Sequence, residues 1–266
     1  MQGFLLPFGV AMMAWFFATG AILWLDRRPE ESWGASILGA TILSGFAFAA
    51  VLISAESSSV AAAYAGFLAA ILLWGWHEMS FLMGFVTGPR REACPPDATG
   101  WRRFRLATAT LIHHEVALAL TALILVAVSL GQPNPVAAWT FLLLFGMRLS
   151  TKFNIFLGVP QFSHEMLPDH LAYLRSYFRA RRGNPLLPWS ALASLGVTAL
   201  LALAALQAPA GSGAQTAYQL LFALSFLGVV EHAFLLLPVR DSALWTWIVP
   251  ARGAPTNTAR GVSDGL

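Results

Sequence analysis

Charge and cysteine are what this sequence has least of. Charged residues fill only 11% of its 266 positions, while hydrophobic residues fill 57% and the mean hydropathy is +0.65. Soluble domains carry roughly 25% charge, so water-soluble fold classes are set aside and an all-α polytopic membrane helix bundle is expected. Cys94 is the sole cysteine, which excludes an intramolecular disulfide and a thiolate metal cluster. Any metal would have to be held by histidine and carboxylate. A net charge of +3 and a pI near 9.5 raise the question of nucleic acid. The basic residues, however, lie in short loops between apolar segments and form no soluble face, so nucleic acid is not an expected partner. The opening MQGFLLPFGVAMMAWFF lacks a positive n-region and a small-residue cleavage site, and it is expected to stay as a first span.

What is present is a series of apolar runs. A helix rises about 1.5 Å per residue and the hydrocarbon core is about 30 Å thick, so a span needs roughly 20 mostly apolar residues. Seven segments qualify: Phe4 to Leu25, Trp33 to Ser54, Val60 to Val86, Arg103 to Leu130, Pro135 to Leu157, Pro188 to Leu206 and Ala214 to Leu237. Pro135 and Pro188 fall at helix starts, where proline is tolerated. Of the 16 basic residues, Arg148 and Lys152 lie well inside a span, and Arg103 and Arg105 lie at the very start of the fourth. All but Arg148 and Lys152 share one side: Arg27 and Arg28; Arg90, Arg91, Arg102, Arg103 and Arg105; Arg175, Arg179, Arg181 and Arg182; Arg240, Arg252 and Arg260. The turns of the other side contain none. By the positive-inside rule the N-terminus is expected in the periplasm and the C-terminus in the cytoplasm.

Residues 1–240 are therefore read as one transmembrane domain. Within it the segment from Gly158 to Gly183 is too polar to span, yet Leu167, Leu171, Leu174 and Phe178 recur at helical spacing with arginines between and after them. This predicts an amphipathic helix near 165–182, lying at the lipid interface or packed on the bundle as a connector. Residues 241–266 read as a cytoplasmic tail whose Gly-, Ala- and Thr-rich end is expected to be disordered.

The histidines carry the chemical signal. Four of the six adjoin a glutamate, as His77-Glu78, His114-Glu115, His164-Glu165 and Glu231-His232, where chance would give well under one such pair. An ionisable group inside the bilayer costs about 2.5 to 3.5 kcal/mol on insertion scales, so it normally faces a partner or a cavity. The third, fourth and seventh spans place His77 and Glu78, His113, His114 and Glu115, and Glu231 and His232 at similar depth in the cytoplasmic half. The fourth-span group is expected about ten residues inside that span. Arg148, Lys152 and Asn154 lie at the comparable level of the fifth span, and the loop bearing His164, Glu165, Asp169 and His170 emerges beneath. One shared polar site is the expectation. Imidazole and carboxylate without thiolate suit iron or another divalent metal, but adjacent residues diverge by about 100° on a helix, unlike the Glu-x-x-His spacing of dinuclear bundle sites. Axial ligation of a tetrapyrrole by a histidine is a second reading. A hydrogen-bonded and salt-bridged network is a third. Trp33, Trp101, Trp139, Trp189, Trp245 and Trp247 near span ends read as an aromatic belt.

The stretches WGWHEMSFLMGFVTGPRR (Trp74 to Arg91), HHE (His113 to Glu115), RLSTKFNIFLGVPQFSHEMLPDHLAYLRSYF (Arg148 to Phe178) and EHAF (Glu231 to Phe234) resemble the photosynthetic complex assembly protein 2 family, also called PuhE. That resemblance implies a multi-pass protein of the bacterial inner, intracytoplasmic membrane. It also implies a role in assembling the photosynthetic reaction centre and core light-harvesting complex, or in bacteriochlorophyll supply. Reaction-centre or light-harvesting subunits and pigment-synthesis enzymes would be its partners besides the lipid bilayer. It brings no catalytic residues. The alternative that the residues themselves leave open is a metal-dependent, non-haem iron type membrane oxidoreductase acting on a tetrapyrrole, quinone or other lipophilic substrate. A transporter is disfavoured, since the sequence shows no inverted repeat and no matching pair of broken helices.

Overall fold

The computed structural model describes residues 2–160 and 167–236 of the chain, which are helical and form no strand. Seven of the helices are long and apolar enough to cross a membrane. In chain order the elements are α1 (Gln2–Asp26), α2 (Trp33–Ala55), α3 (Val60–Leu82), α4 (Gly100–Ala109), α5 (Ile112–Ser129), α6 (Val136–Leu157), α7 (Leu186–Gln207) and α8 (Gly213–Leu236). A 3-10 helix, Asp169–Tyr177, lies between α6 and α7.

Half of the most apolar stretch of α3 and of α8 is buried, against 11 to 28% for the other spans, so these two helices are the centre of the bundle. The remaining spans surround them, with α2 packed chiefly on α3 and α7 chiefly on α8. Lipid is as apolar as leucine, so close packing at small residues must hold such helices together. Gly66 of α3 sits against Ser54 and Ala137, and a side chain at Gly228 of α8 would overlap Met147 of α6.

Two asparagines join helix ends that are distant in sequence. Asn134 donates from Nδ2 to the Ser54 carbonyl at 2.9 Å and accepts from Val136 N–H at 3.3 Å, closing α2 and opening α6. Asn184 donates to the Asn154 and Gly158 carbonyls, and its Oδ1 accepts from Leu186 and Leu187 N–H at 2.9 and 3.1 Å, closing α6 and opening α7. Orphan groups at four helix ends are thereby satisfied by two side chains.

The structure departs from expectation in two places. The fourth span is not one helix from Arg103 to Leu130, because it breaks between α4 and α5 at Thr110 and Leu111. The loop after α3 supplies the missing partners: Arg90 N–H donates to the Ala109 carbonyl at 3.1 Å, and His114 N–H donates to the Thr87 carbonyl at 3.0 Å. Gly88 allows this approach, since a β-carbon there would fall well inside contact distance of the backbone of Ala109, Thr110 and Leu111. The amphipathic segment is a 3-10 helix, whose side chains eclipse every third residue. Its buried set is accordingly Leu171, Leu174 and Tyr177, with Leu171 and Leu174 packed on Phe81 and joined at the edge by Leu111, Leu167, Tyr173 and Phe178. The stretches of the notional helix at 165–166 and the tail beyond 236 lie outside the described residues.

The break predicts a sharp contrast between two glycines. Gly88→Ala must displace backbone and is expected to destabilise the protein by about 1 to 3 kcal/mol. Gly9→Ala, with nothing within 4 Å of its added carbon, is expected to be neutral or mildly stabilising. Reversible unfolding in mixed micelles measures both, and equal stability of the two variants would contradict the docked loop.

Candidate functional site

Glu78 lies in the last two turns of α3, His114 and Glu115 in the first turn of α5, and Arg148 and Lys152 one turn apart on α6. The i, i+4 spacing puts both cations on one face of α6, towards α3 and α5. Glu78 Oε2 accepts from Arg148 Nη2 at 3.3 Å, and Glu115 Oε1 accepts from Lys152 Nζ at 2.5 Å. Arg148 Nη1 also reaches Glu231 Oε1 of α8 at 3.9 Å. Glu78 and His114 each lie within electrostatic range of Arg148, Lys152 and His77, so the groups form one site. The α4–α5 break sets its depth. Glu115 occupies the positive end of the α5 dipole, which favours a carboxylate there, and is not ten residues inside a continuous helix.

Apolar layers close the site on both sides. On one side stand Leu118, Leu125, Phe141 and Ala122, and on the other Phe81, Leu171 and Leu174. Phe81 is a site residue that the sequence reading missed. Its ring lies tilted with its centre 4.6 Å from that of the His114 imidazole, and 5.8 Å from Lys152 Nζ. Excluding water in this way strengthens each ion pair and raises the cost of losing either member.

The histidines divide into distinct environments. His232, fully buried, has Nδ1 at 2.8 Å from the Gly228 carbonyl, which can only accept, so Nδ1 carries the proton. When the ring is neutral its Nε2 accepts from Ser150 Oγ at 2.9 Å, leaving no lone pair for a ligand. His77 Nε2 pairs with Thr121 Oγ1 at 2.9 Å. His114 is fully buried and neither ring nitrogen has a hydrogen-bond partner; its Nε2 stands 3.9 Å from Glu78 Oε1, too far for a direct bond. Asn154, also fully buried, donates to the Ser150 carbonyl and Ser190 Oγ and so ties α6 to α7.

Not every expected member joins. His113 is on the exposed face of α5, and His170 is exposed, with its ring 5.2 Å from that of Trp33. His164 and Glu165 lie outside the described residues. Among the described residues, no three of His, Cys, Asp and Glu stand so that they could hold a metal ion. Among the described residues, three carboxylates, Glu78, Glu115 and Glu231, meet two cations, Arg148 and Lys152, in these pairs.

Comparison with known proteins adds a lineage. A family model described as a protein of unknown function, DUF3623, matches residues 1–256. A Rhodobacter capsulatus protein described as an uncharacterized 30.4 kDa protein in the puhA 5' region is 40% identical over 257 residues, covering 93% of this chain and 91% of that protein. No solved structure matches.

The two kinds of ion pair should respond differently to mutation. Lys152→Met, which leaves Glu115 enclosed without its cation, is expected to cost about 3 to 5 kcal/mol, and Glu115→Leu added to it should restore most of that loss. Glu231→Gln breaks only the looser 3.9 Å contact and leaves Arg148 its 3.3 Å pair with Glu78, so it is expected to cost clearly less than Lys152→Met. Simple additivity of the Glu115 and Lys152 changes in unfolding measurements would show that the pair is not coupled.

Proposed function

The chain belongs to the DUF3623 family, and from that premise we propose that it is an inner-membrane assembly factor for the bacterial photosynthetic reaction centre and core light-harvesting complex. The observation that carries this reading is the exposed end of the polar site. Arg148 lies nine residues before the end of α6, roughly 14 Å along the axis, yet its side chain is 40% exposed and that of its partner Glu231 is 41% exposed. Charge at this depth facing lipid is costly, and a polar or charged group from a neighbouring membrane protein relieves that cost.

The chemistry of the partner comes from the lineage. The photosynthetic assembly resemblance rests on Trp74 to Arg91, Arg148 to Phe178 and the shorter motifs around His114 and His232, and the polar site is built from those stretches. The relative's placement in the puhA 5' region is compatible with that reading. Action on bacteriochlorophyll supply is the finer form of the proposal. The metal-dependent oxidoreductase has no support from the geometry, since the described His and Glu side chains do not converge in threes. The proposed orientation puts the arginine-rich loops in the cytoplasm.

A strain lacking the gene is expected to accumulate markedly less reaction-centre and core-antenna absorbance under phototrophic growth. Arg148→Leu should fail to restore it although the variant protein reaches wild-type abundance in the membrane. Unchanged pigment–protein levels in the deletion strain would remove the assembly role. For orientation, alkaline phosphatase fused at Gln132 is expected to be active and the same enzyme fused at Arg91 inactive; the reverse pattern would invert the topology.

A further inference from the structure

A cleft of about 280 Å3 opens at the arginine-rich end of the bundle, lined by Gly100, Arg103, Phe156, Leu157, Arg179 and Arg181. Three arginines share it. Arg103 is 5% exposed and fixed: Nη1 donates to the Phe156 carbonyl at 3.1 Å, Nη2 donates to the Tyr177 carbonyl, and the guanidinium stacks 4.1 Å from the centre of the Phe156 ring. The other two are positioned by backbone. Val159 N–H donates to the Arg179 carbonyl at 3.2 Å and Arg181 N–H donates to the Val159 carbonyl at 3.1 Å, a bridge that presses residues 179–181 onto the end of α6. The stem of Arg181 then lies on Gly158, whose φ of +121° and lack of a β-carbon permit the approach.

Like charges held together this way repel. Burial, and then Arg179 and Arg181, push the basicity of Arg103 down. Among the described residues no carboxylate lines the cleft, and the acidic groups of the preceding loop are engaged elsewhere, Glu92 with Arg90 and Asp97 with Arg102. The first turn of α4 adds positive character, because Thr99 makes no side-chain cap there. We propose that this cleft is a binding site for a phosphate-type oxyanion, presented by the headgroup of an anionic membrane phospholipid.

Its position favours that source. Leu157 ends a span and is 37% exposed, while Trp101, next to Gly100, is 70% exposed, as an indole at the headgroup level would be. An acyl chain can follow Leu157 and Phe153, 38% exposed, while the phosphate meets the guanidinium groups, which suit bidentate phosphate recognition. At about 280 Å3 the cleft is below the roughly 300 to 1,000 Å3 of sites for drug-sized ligands, which fits a headgroup and not a whole pigment.

The test uses the full chain, purified and delipidated in neutral detergent, with thermal unfolding followed by tryptophan fluorescence. Short-chain phosphatidylglycerol is expected to raise the midpoint saturably, and Arg179→Gln or Arg181→Gln to weaken its apparent affinity about tenfold each, the size of one charge-assisted hydrogen bond. Both variants leave the Arg103 scaffold intact and relieve like-charge repulsion, so their unliganded midpoints should equal or slightly exceed that of the wild type. Inorganic phosphate reproducing the shift with the same arginine dependence would uphold the oxyanion site and assign it to a free ion. No shift with either ligand, an equal shift with phosphatidylcholine, or a shift indifferent to both arginines would overturn the proposal.

Discussion

Glu115 meeting Lys152, beside Glu78 meeting Arg148, is the constraint to which the rest of the bundle conforms. Hydrocarbon offers these charges nothing, so each helix that carries one must sit where its partner is. That requirement sets the rotation of α3, α5 and α6 more tightly than leucine packing can, because leucine contacts with a neighbouring helix and with lipid are nearly equivalent. The apolar core around Phe141 and Leu118 fills the space left by that arrangement.

The ion pairs also explain the covering on the arginine-rich side. Phe81, Leu171 and Leu174 close over the charged groups, and the loop after α3 hands its Thr87 carbonyl to the His114 N–H. A continuous fourth helix would satisfy that N–H from Thr110 and would need no such loop. The break thus joins the loop bearing Arg90 and Arg91 to the helix end bearing His114 and Glu115, so the surface and the interior of this half are tied by backbone hydrogen bonds.

Much of this was legible in the sequence, for identifiable reasons. Span number follows from apolar length, and the four His-Glu adjacencies stood out because ionisable residues are scarce in such a chain. That Glu78, His114, Arg148 and Glu231 share a site followed from depth alone. Depth fixes height and leaves rotation open, which is why His113 and His170 were expected inside and are exposed. The break at Thr110 was hidden because Thr and Leu are compatible with helix and the competing hydrogen bonds come from residues 87 and 90. Phe81, Ser150 and Thr121 carry no chemical signature of their own, and only their neighbours make them part of the site. The 3-10 form of Asp169–Tyr177 is a choice between periods of 3.0 and 3.6 over nine residues, too short a run for the pattern to decide.

Glu78 and Arg148 are 70 residues apart, and that separation has a temporal meaning. At synthesis rates of about 5 to 20 residues per second, roughly 4 to 14 seconds pass between the two side chains leaving the ribosome. The third helix therefore waits beside the insertion machinery with its acid unanswered, and Glu231 arrives later still. Completion of the bundle is gated by its own translation, the last helices closing a circuit that the third one opened.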